Sequence, residues 1–273
     1  MPSKSISLTA IGDTCLDIYP QKGQTFLGGA AFNLSLHAQK AGAQASLISA
    51  VGTDSWGQKY LSRLKANHIN SSQLTIIKGK TSHLNITLNK NNQPTFSAWK
   101  LGVLKNFKLS PQHKKFLLTQ DAAIAVLFKP ISLLFNSFVN LKLPTTLKVG
   151  DFSGSSDYDQ PASIINSFSK NLDLIVKTLD QKDRKSLAFL KNLAKTQNKL
   201  VLVLLGDKGS QVFTKNHQFH QPIIKTTTKD TTGAGDAYLA TFVVEYLKTK
   251  NIPQSMLKAT KATSRVISKL GAN

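Results

Sequence analysis

The chain has 273 residues, 41% of them hydrophobic, which is enough for one large α/β domain burying roughly 75% of its unfolded surface. It has no run of about 18 apolar residues for a transmembrane helix, and Ser5, Ser7 and Thr9 interrupt any signal-peptide core at the start. Lys+Arg number 35 against 14 Asp+Glu, a net charge of +21, but the lysines are dispersed without a basic block interleaved with aromatics. This argues against a specific nucleic-acid site and leaves a diffuse field for anionic metabolites.

Ile6-Ser-Leu-Thr-Ala-Ile11 alternates and turns at Gly12, the pattern of a first strand. Cys15, the sole cysteine, excludes an internal disulfide and fits a reducing cytoplasm. Asp13 and Asp17 follow the strand, and Asp13 is either a second polar wall or a turn residue. Gly28-Gly-Ala-Ala-Phe-Asn33 starts a helix that runs to about Gly42. Its glycines let a ligand approach the backbone, and Asn33 offers both donor and acceptor. Residues 45–51 read as a strand, and Gly52-Thr-Asp-Ser-Trp-Gly57 leads into a helix through Ala66, with Asp54 as helix-start structure. Residues 74–99 alternate without a helical stripe and read as a small antiparallel excursion.

From Ser110 to about Gly150 the pattern is helix, strand (122–128), helix, strand, which favours a parallel sheet with crossover helices. Asp151-Phe-Ser lies at a strand's C-terminal end, where open α/β sheets place ligands. Residues 172–176 form a further short strand, and residues 200–209 a buried strand ending in a hairpin turn. His217-x-x-His220 lacks companion ligands and reads as a solvent-facing strand pair. Residues 222–228 read as a strand leading into Asp230-Thr-Thr-Gly-Ala-Gly-Asp236. The apolar run 237–247 then reads as a helix, and a last helix covers about 255–269.

At a helix N-terminus the N–H groups of Gly233, Ala234, Gly235 and Asp236 converge, with the positive dipole end behind them. That suits a phosphate, or the added charge of a phosphoryl group in transit. A carboxylate beside an anion site repels the anion unless it has another task, and Asp236 can take a proton from an attacking hydroxyl. The alternative is a Gly-rich turn capped by Asp236.

Asp230-Thr-Thr-Gly-Ala-Gly-Asp236 resembles the C-terminal signature of the ribokinase-like, or PfkB-type, sugar kinase family, and the resemblance extends over nearly the whole chain. It implies one α/β domain over 1–273, with a mostly parallel central sheet flanked by helices. A small β lid would come from segments at about 18–27 and 74–101, and it often pairs two subunits in the family. A kinase with Asp236 as base and the Gly233, Ala234 and Gly235 amides as anion hole is implied, with Asp230 shaping a site for substrate and often K⁺. Gly28, Gly29 and Asn33 match a sugar-binding motif, and Asp17 holds the position of an aspartate that binds two sugar hydroxyls. Trp99 either stacks on substrate at the lid base or packs in the lid. ATP and Mg²⁺ are the implied cofactors. Their site would lie near Gly206, Lys208 and Gly209, with Ala262 on the C-terminal helix beside the adenine.

Two departures bear on activity. The family's Asn-x-x-Glu, which positions magnesium and phosphate through water, is nearest Thr178-x-x-Gln181, and Glu245 is the only glutamate in the chain. Leu204 replaces a threonine before Leu205-Gly206. Asp151-Phe-Ser, with residues 11–20, looks more like those members that phosphorylate fructosamines such as fructoselysine at the 6-hydroxyl. A plain ketohexose or ribose comes next, because Lys100 ends the lid where a cationic substrate wants an acid. A non-catalytic relative that binds sugar or nucleotide is the reading from another class.

Overall fold

In a computed structural model, residues 5–180 and 182–272 are described. The strands are β1 (Ser7–Ile11), β2 (Cys15–Tyr19), β3 (Gln24–Gly28), β4 (Gln44–Gly52), β5 (Leu74–Ile77), β6 (Ser82–Leu88), β7 (Pro94–Lys100), β8 (Ala122–Val126), β9 (Leu147–Asp151), β10 (Leu174–Thr178), β11 (Leu200–Leu204), β12 (Ser210–Phe213) and β13 (Gln218–Gln221). The helices are α1 (Ala30–Lys40), α2 (Ser55–Ala66), α3 (Pro111–Leu117), α4 (Ser132–Val139), α5 (Pro161–Ser169), α6 (Arg184–Gln197), α7 (Ala234–Thr249) and α8 (Ile252–Ile267).

A nine-stranded sheet runs β13-β12-β11-β10-β9-β8-β1-β4-β5, parallel from β11 to β5, with β12 and β13 antiparallel at one edge. Its central strands are apolar on both faces because helices cover both. Along β11, Leu202 and Leu204 face the core shared with α1 and α7, while Val201 and Val203 face the core shared with α3 to α6. The carboxyl ends of the parallel strands share one edge, and Asp13, Asp151 and Thr178 sit there.

A second sheet, β3-β2-β6-β7, stands over that edge. Two readings of this region are corrected. Leu74–Ile77 is not lid: it pairs parallel with β4 at the rim of the large sheet, and four alternating residues cannot show which sheet they will join. The lid is also mixed, two antiparallel hairpins joined by parallel β2–β6 pairing, and it spans residues 15–28 and 82–100. A third correction concerns residues 222–228. They run without strand pairing, leaving Ile223 43% and Ile224 37% exposed, because the hairpin partner of β12 is already Gln218–Gln221.

Candidate active site

The helix α1 enters through Gly29, whose φ of 96° brings it so close to the β1–β2 turn that an added Cβ would lie 2.6 Å from Asp13 O and Cys15 N. Asp13 Oδ1 accepts from Ala30 N at 3.1 Å, so Asp13 holds the helix start and forms a polar wall at once. Register in the lid sets Asp17 opposite Phe26, which makes Gly28 its diagonal neighbour on the same face. A Cβ on Gly28 would lie 2.1 Å from Asp17 Oδ2. Tyr60, from α2, fixes the Gly28 backbone, accepting from its N–H at 3.1 Å and donating to its carbonyl at 2.9 Å. An aromatic in an amphipathic helix reads as plain core, so sequence gave no signal for this role. The Asp17 carboxylate, 4% exposed, accepts no hydrogen bond from the described residues.

The helix α7 begins at Gly233, whose left-handed φ of 73° turns the chain into it. Asn33 Nδ2 donates to Asp236 Oδ2 at 2.9 Å, tying the first turns of α1 and α7 together. Asp236 Oδ1 has no partner among the described residues. Of the amides nominated for the anion hole, Ala234 N is already committed to Thr231 O at 3.2 Å, because the Gly233 turn folds it back. The N–H groups of Gly233, Gly235 and Asp236 meet no backbone acceptor among the described residues, so the open set loses Ala234 and keeps Asp236 in its place.

Four carboxyls converge here, and burial acts on each. Asp236 is raised well above the carboxylate range by burial, pulled down by the Asn33 amide and pushed up again by Asp151, Asp13 and Asp17. Asp17 is likewise raised by burial, then by Asp13 and Asp230. Burial pushes Asp13 up to about 6 against the pull of backbone N–H groups. Asp151 is raised by burial despite accepting from Ser153 N at 2.8 Å and Ser153 Oγ at 2.6 Å. Sequence placed Asp151 at the ligand edge; its electrostatic coupling to Asp236 emerges only from the fold.

Other nominated residues fall elsewhere. Asp230 is fully buried and does not open into the cleft. Tyr19 Oη donates to its Oδ2 at 2.7 Å, Gly271 N to Oδ2 at 3.0 Å, and Thr232 N and Oγ1 to Oδ1 at 2.8 and 2.6 Å. Trp99 packs in the lid, its Nε1 donating to Ser82 Oγ at 2.9 Å and its ring edge-on to Phe128 at 5.6 Å. Thr178 is exposed at the end of β10, its hydroxyl 3.1 Å from Ser153 Oγ; Gln181 lies outside the described residues. Gly206 and Gly209 form the β11–β12 turn with φ of 57° and 83°. Lys208 is an exposed side chain 3.3 Å from Asp207. Ala262 lines a cavity between α1, α7 and α8. Thr263, next on the same helix, brings α8 to the start of α7, donating to Ala234 O at 3.5 Å. His217 and His220 belong to no candidate metal cluster among the described residues.

A mostly parallel sheet, a lid over its carboxyl edge and an aspartate at a glycine-turned helix N-terminus define a phosphoryl-transfer scaffold acting on hydroxyl compounds. A profile of the pfkB family carbohydrate kinases matches residues 4–134 and 168–273, and the chain belongs to that family. Among proteins of known activity it is 28% identical over 266 residues to fructoselysine 6-kinase of Shigella flexneri, covering 97% of this chain and 99% of that one. It is 24% identical to the fructosamine kinase FrlD of Bacillus subtilis, covering 98% and 93%. The fold matches the nucleoside kinase of Methanocaldococcus jannaschii, an archaeal member of the ribokinase family, with a TM-score of 0.79 at 22% identity, covering 99% and 94%.

Proposed function

We propose that this carbohydrate kinase transfers the γ-phosphoryl of ATP to a primary hydroxyl of a fructosamine, with Asp236 as the base. The observation that carries the reading is the Asn33–Asp236 hydrogen bond, which holds a carboxyl with one free oxygen between the sugar side of the cleft and three open amides. Asp17, unpartnered against Gly28, accepts from sugar hydroxyls, and Asn33 orients both the sugar and the base. As the hydroxyl oxygen bonds to phosphorus and the bond to ADP breaks, the hydroxyl proton passes to Asp236 Oδ1. The N–H groups of Gly233, Gly235 and Asp236 stabilise the charge on the equatorial oxygens. Positioning and fixed dipoles supply most of the catalysis in such a transfer.

Magnesium, when bound with the nucleotide, neutralises the polyphosphate. No cluster of three His, Cys, Asp or Glu that could chelate it occurs among the described residues; Asp151, Ser153 and Thr178, joined by hydrogen bonds at the carboxyl edge of the sheet, would hold it through its waters. Asp230 does not fit a potassium ion as a direct ligand, both of its oxygens being committed to protein donors. The fructosamine assignment rests on the relatives above and on Asp151-Phe-Ser153.

ADP release with Mg-ATP across fructoselysine, other fructosamines, fructose and ribose tests the reading. Turnover confined to fructosamines supports it. Competition by fructose with none by fructoselysine overturns the substrate, and release on no sugar despite sugar-dependent thermal stabilisation favours a binding protein instead. No helix among the described residues is long and apolar enough to cross a membrane. We place the enzyme in the cytoplasm, where ATP is available and the buried thiol Cys15 stays reduced. We also propose that the lid pairs two subunits through β7, an edge strand with Phe96 57% exposed. Sedimentation of a Phe96→Lys variant as the same dimer as the parent would overturn that pairing.

A further inference from the structure

A cluster of cations lines a cavity on the other side of α1 and α7 from Asp17 and Asp151. Between α1, α7 and α8 is a cavity of about 660 Å³ lined by Lys40, Lys258, Lys261, Arg265 and Lys269, with Glu245 as the one carboxylate. Five cations thus face one anion, and none of the six makes an ion pair among the described residues. Dispersed surface lysines do not ordinarily line one cavity; these do, from α1, α8 and the tail that follows α8. At the floor lies Thr241, only 8% exposed, whose hydroxyl has no hydrogen-bond partner among the described residues. Helical hydroxyls commonly donate to the carbonyl four residues back, as Thr260 and Thr263 do on α8, whereas the Thr241 hydroxyl is left open to the cavity. Burial, with Arg63 and Lys269 adding like charge, lowers the affinity of Lys40 for its proton. A cavity with uncompensated cations around it and a free hydroxyl beneath fits a compact polyanion.

The cavity is wired to the anion hole. Lys269 and Gly271 line it, and the chain from there runs directly to the start of α7. Gly271 N donates to Asp230 Oδ2 at 3.0 Å, and Ala272 O lies 3.0 Å from Nε2 of the buried His37, which also lines the cavity. Ala272 then seats against Gly233, where an added Cβ would meet its Cβ at 2.5 Å and its Cα at 2.8 Å. The residue that sets the first turn of α7 therefore rests on the tail that closes this cavity.

We propose that the α1–α7–α8 cavity is a second binding site, for a small phosphate-bearing anion, and that its occupancy tunes the anion hole through the tail 269–272. The ligand bridges Lys40 and Lys269 to the α8 cations, with the Thr241 hydroxyl donating to a phosphate oxygen. Drawing Lys269 inward holds Gly271 and Ala272 against Gly233 and so fixes the amides that meet the transferring phosphoryl group. The binding half stands independently of the proposed function; the coupling half rests on it.

Calorimetric titration of the intact protein with inorganic phosphate, ADP and a ketohexose 6-phosphate tests the binding half. It is run on the parent and on a Lys258→Glu/Arg265→Glu double variant, whose exposed positions on α8 lie outside the cleft. A Lys261→Gln/Arg265→Gln variant guards against misfolding by the reversal. At least one probe is expected to show a saturable event in the parent that weakens tenfold or more in both variants, while ADP binding at the cleft persists. Similar affinity for all three probes identifies a bare phosphate site; preference for ADP or the sugar ester names the source. For the coupling half, the effective probe shifts KM for ATP or kcat severalfold in the parent and not in the variants. Binding that never saturates, or that survives both substitutions, overturns the site. Binding without any kinetic shift, in a preparation that turns over sugar, overturns the coupling.

Discussion

The two ends of the cleft are built on opposite terms. On the sugar side Asp13, Asp17 and Asn33 are buried, and glycines without room for a Cβ back them. A tyrosine from a neighbouring helix pins the backbone, so each of these groups is held by protein contacts. On the proposed nucleotide side Thr178 and Lys208 are exposed, Gly206 has open space around its missing Cβ, and Leu204 is a buried apolar residue. Specificity is concentrated where water is excluded and each polar group is costly to misplace.

That contrast can be broken by substitution. Among changes to the two ends themselves, the largest effect is expected from Gly28→Ala, whose Cβ has no space short of displacing the Asp17 carboxylate. The value of kcat/KM for sugar should fall on the order of 100-fold, the scale of losing a charged hydrogen-bonding partner, with KM for ATP little changed. If sugar kinetics stay normal, Asp17 is not the sugar ligand. Next comes the pH profile. Asp236 must be ionised to accept a proton, and its raised affinity for protons places the acid limb of kcat/KM above the ordinary carboxylate range. Asp13→Asn keeps an acceptor for Ala30 N but removes a neighbouring negative charge, so the limb should move to lower pH. A limb that stays put would dissociate the two groups.

Smaller changes belong to the other end. Gly206→Ala puts a side chain at φ 57° with nothing within 4 Å of it, so its cost is backbone strain of about 1–2 kcal/mol. It should lower the melting temperature by a few degrees (~2–4 °C per kcal/mol) and leave the sugar KM alone. Lys208→Ala should change KM for ATP by less than about threefold, because an exposed pair with Asp207 contributes little. A tenfold rise would show that Lys208 leaves Asp207 to meet the phosphates.

What was legible in the sequence follows the same divide. Gly28-Gly29, Asn33 and the 230–236 run could be read because each imposes a local backbone requirement: a close approach, a left-handed turn, a helix start. The apposition of Asp17 with Gly28, the pinning by Tyr60 and the coupling of Asp151 to Asp236 depend on strand register and sheet order, which no local pattern carries. Leu74–Ile77 was misassigned because alternation fixes a strand's faces and not its sheet. Residues 222–228 read as strand from β-branched residues whose pairing partner had already been taken. Asp230 looked like a ligand by its place in the motif. The fold spends all of its lone-pair capacity on Tyr19, Thr232 and Gly271, making it the anchor of the loop.

The central claim is that Asp236, buried and with its proton affinity raised by that burial, is the base. A group whose proton affinity is raised in the folded state binds more protons folded than unfolded, so it stabilises below its folded pKa. Its ionised form costs stability as pH rises through that value. The most direct test is therefore turnover and melting temperature measured on one Asp236→Asn protein at neutral pH. The account predicts that kcat falls about 10²–10⁴-fold, while the melting temperature holds or rises because a costly buried charge is gone and Asn33 keeps an acceptor. Near-normal turnover, or a clear drop in melting temperature, would contradict it.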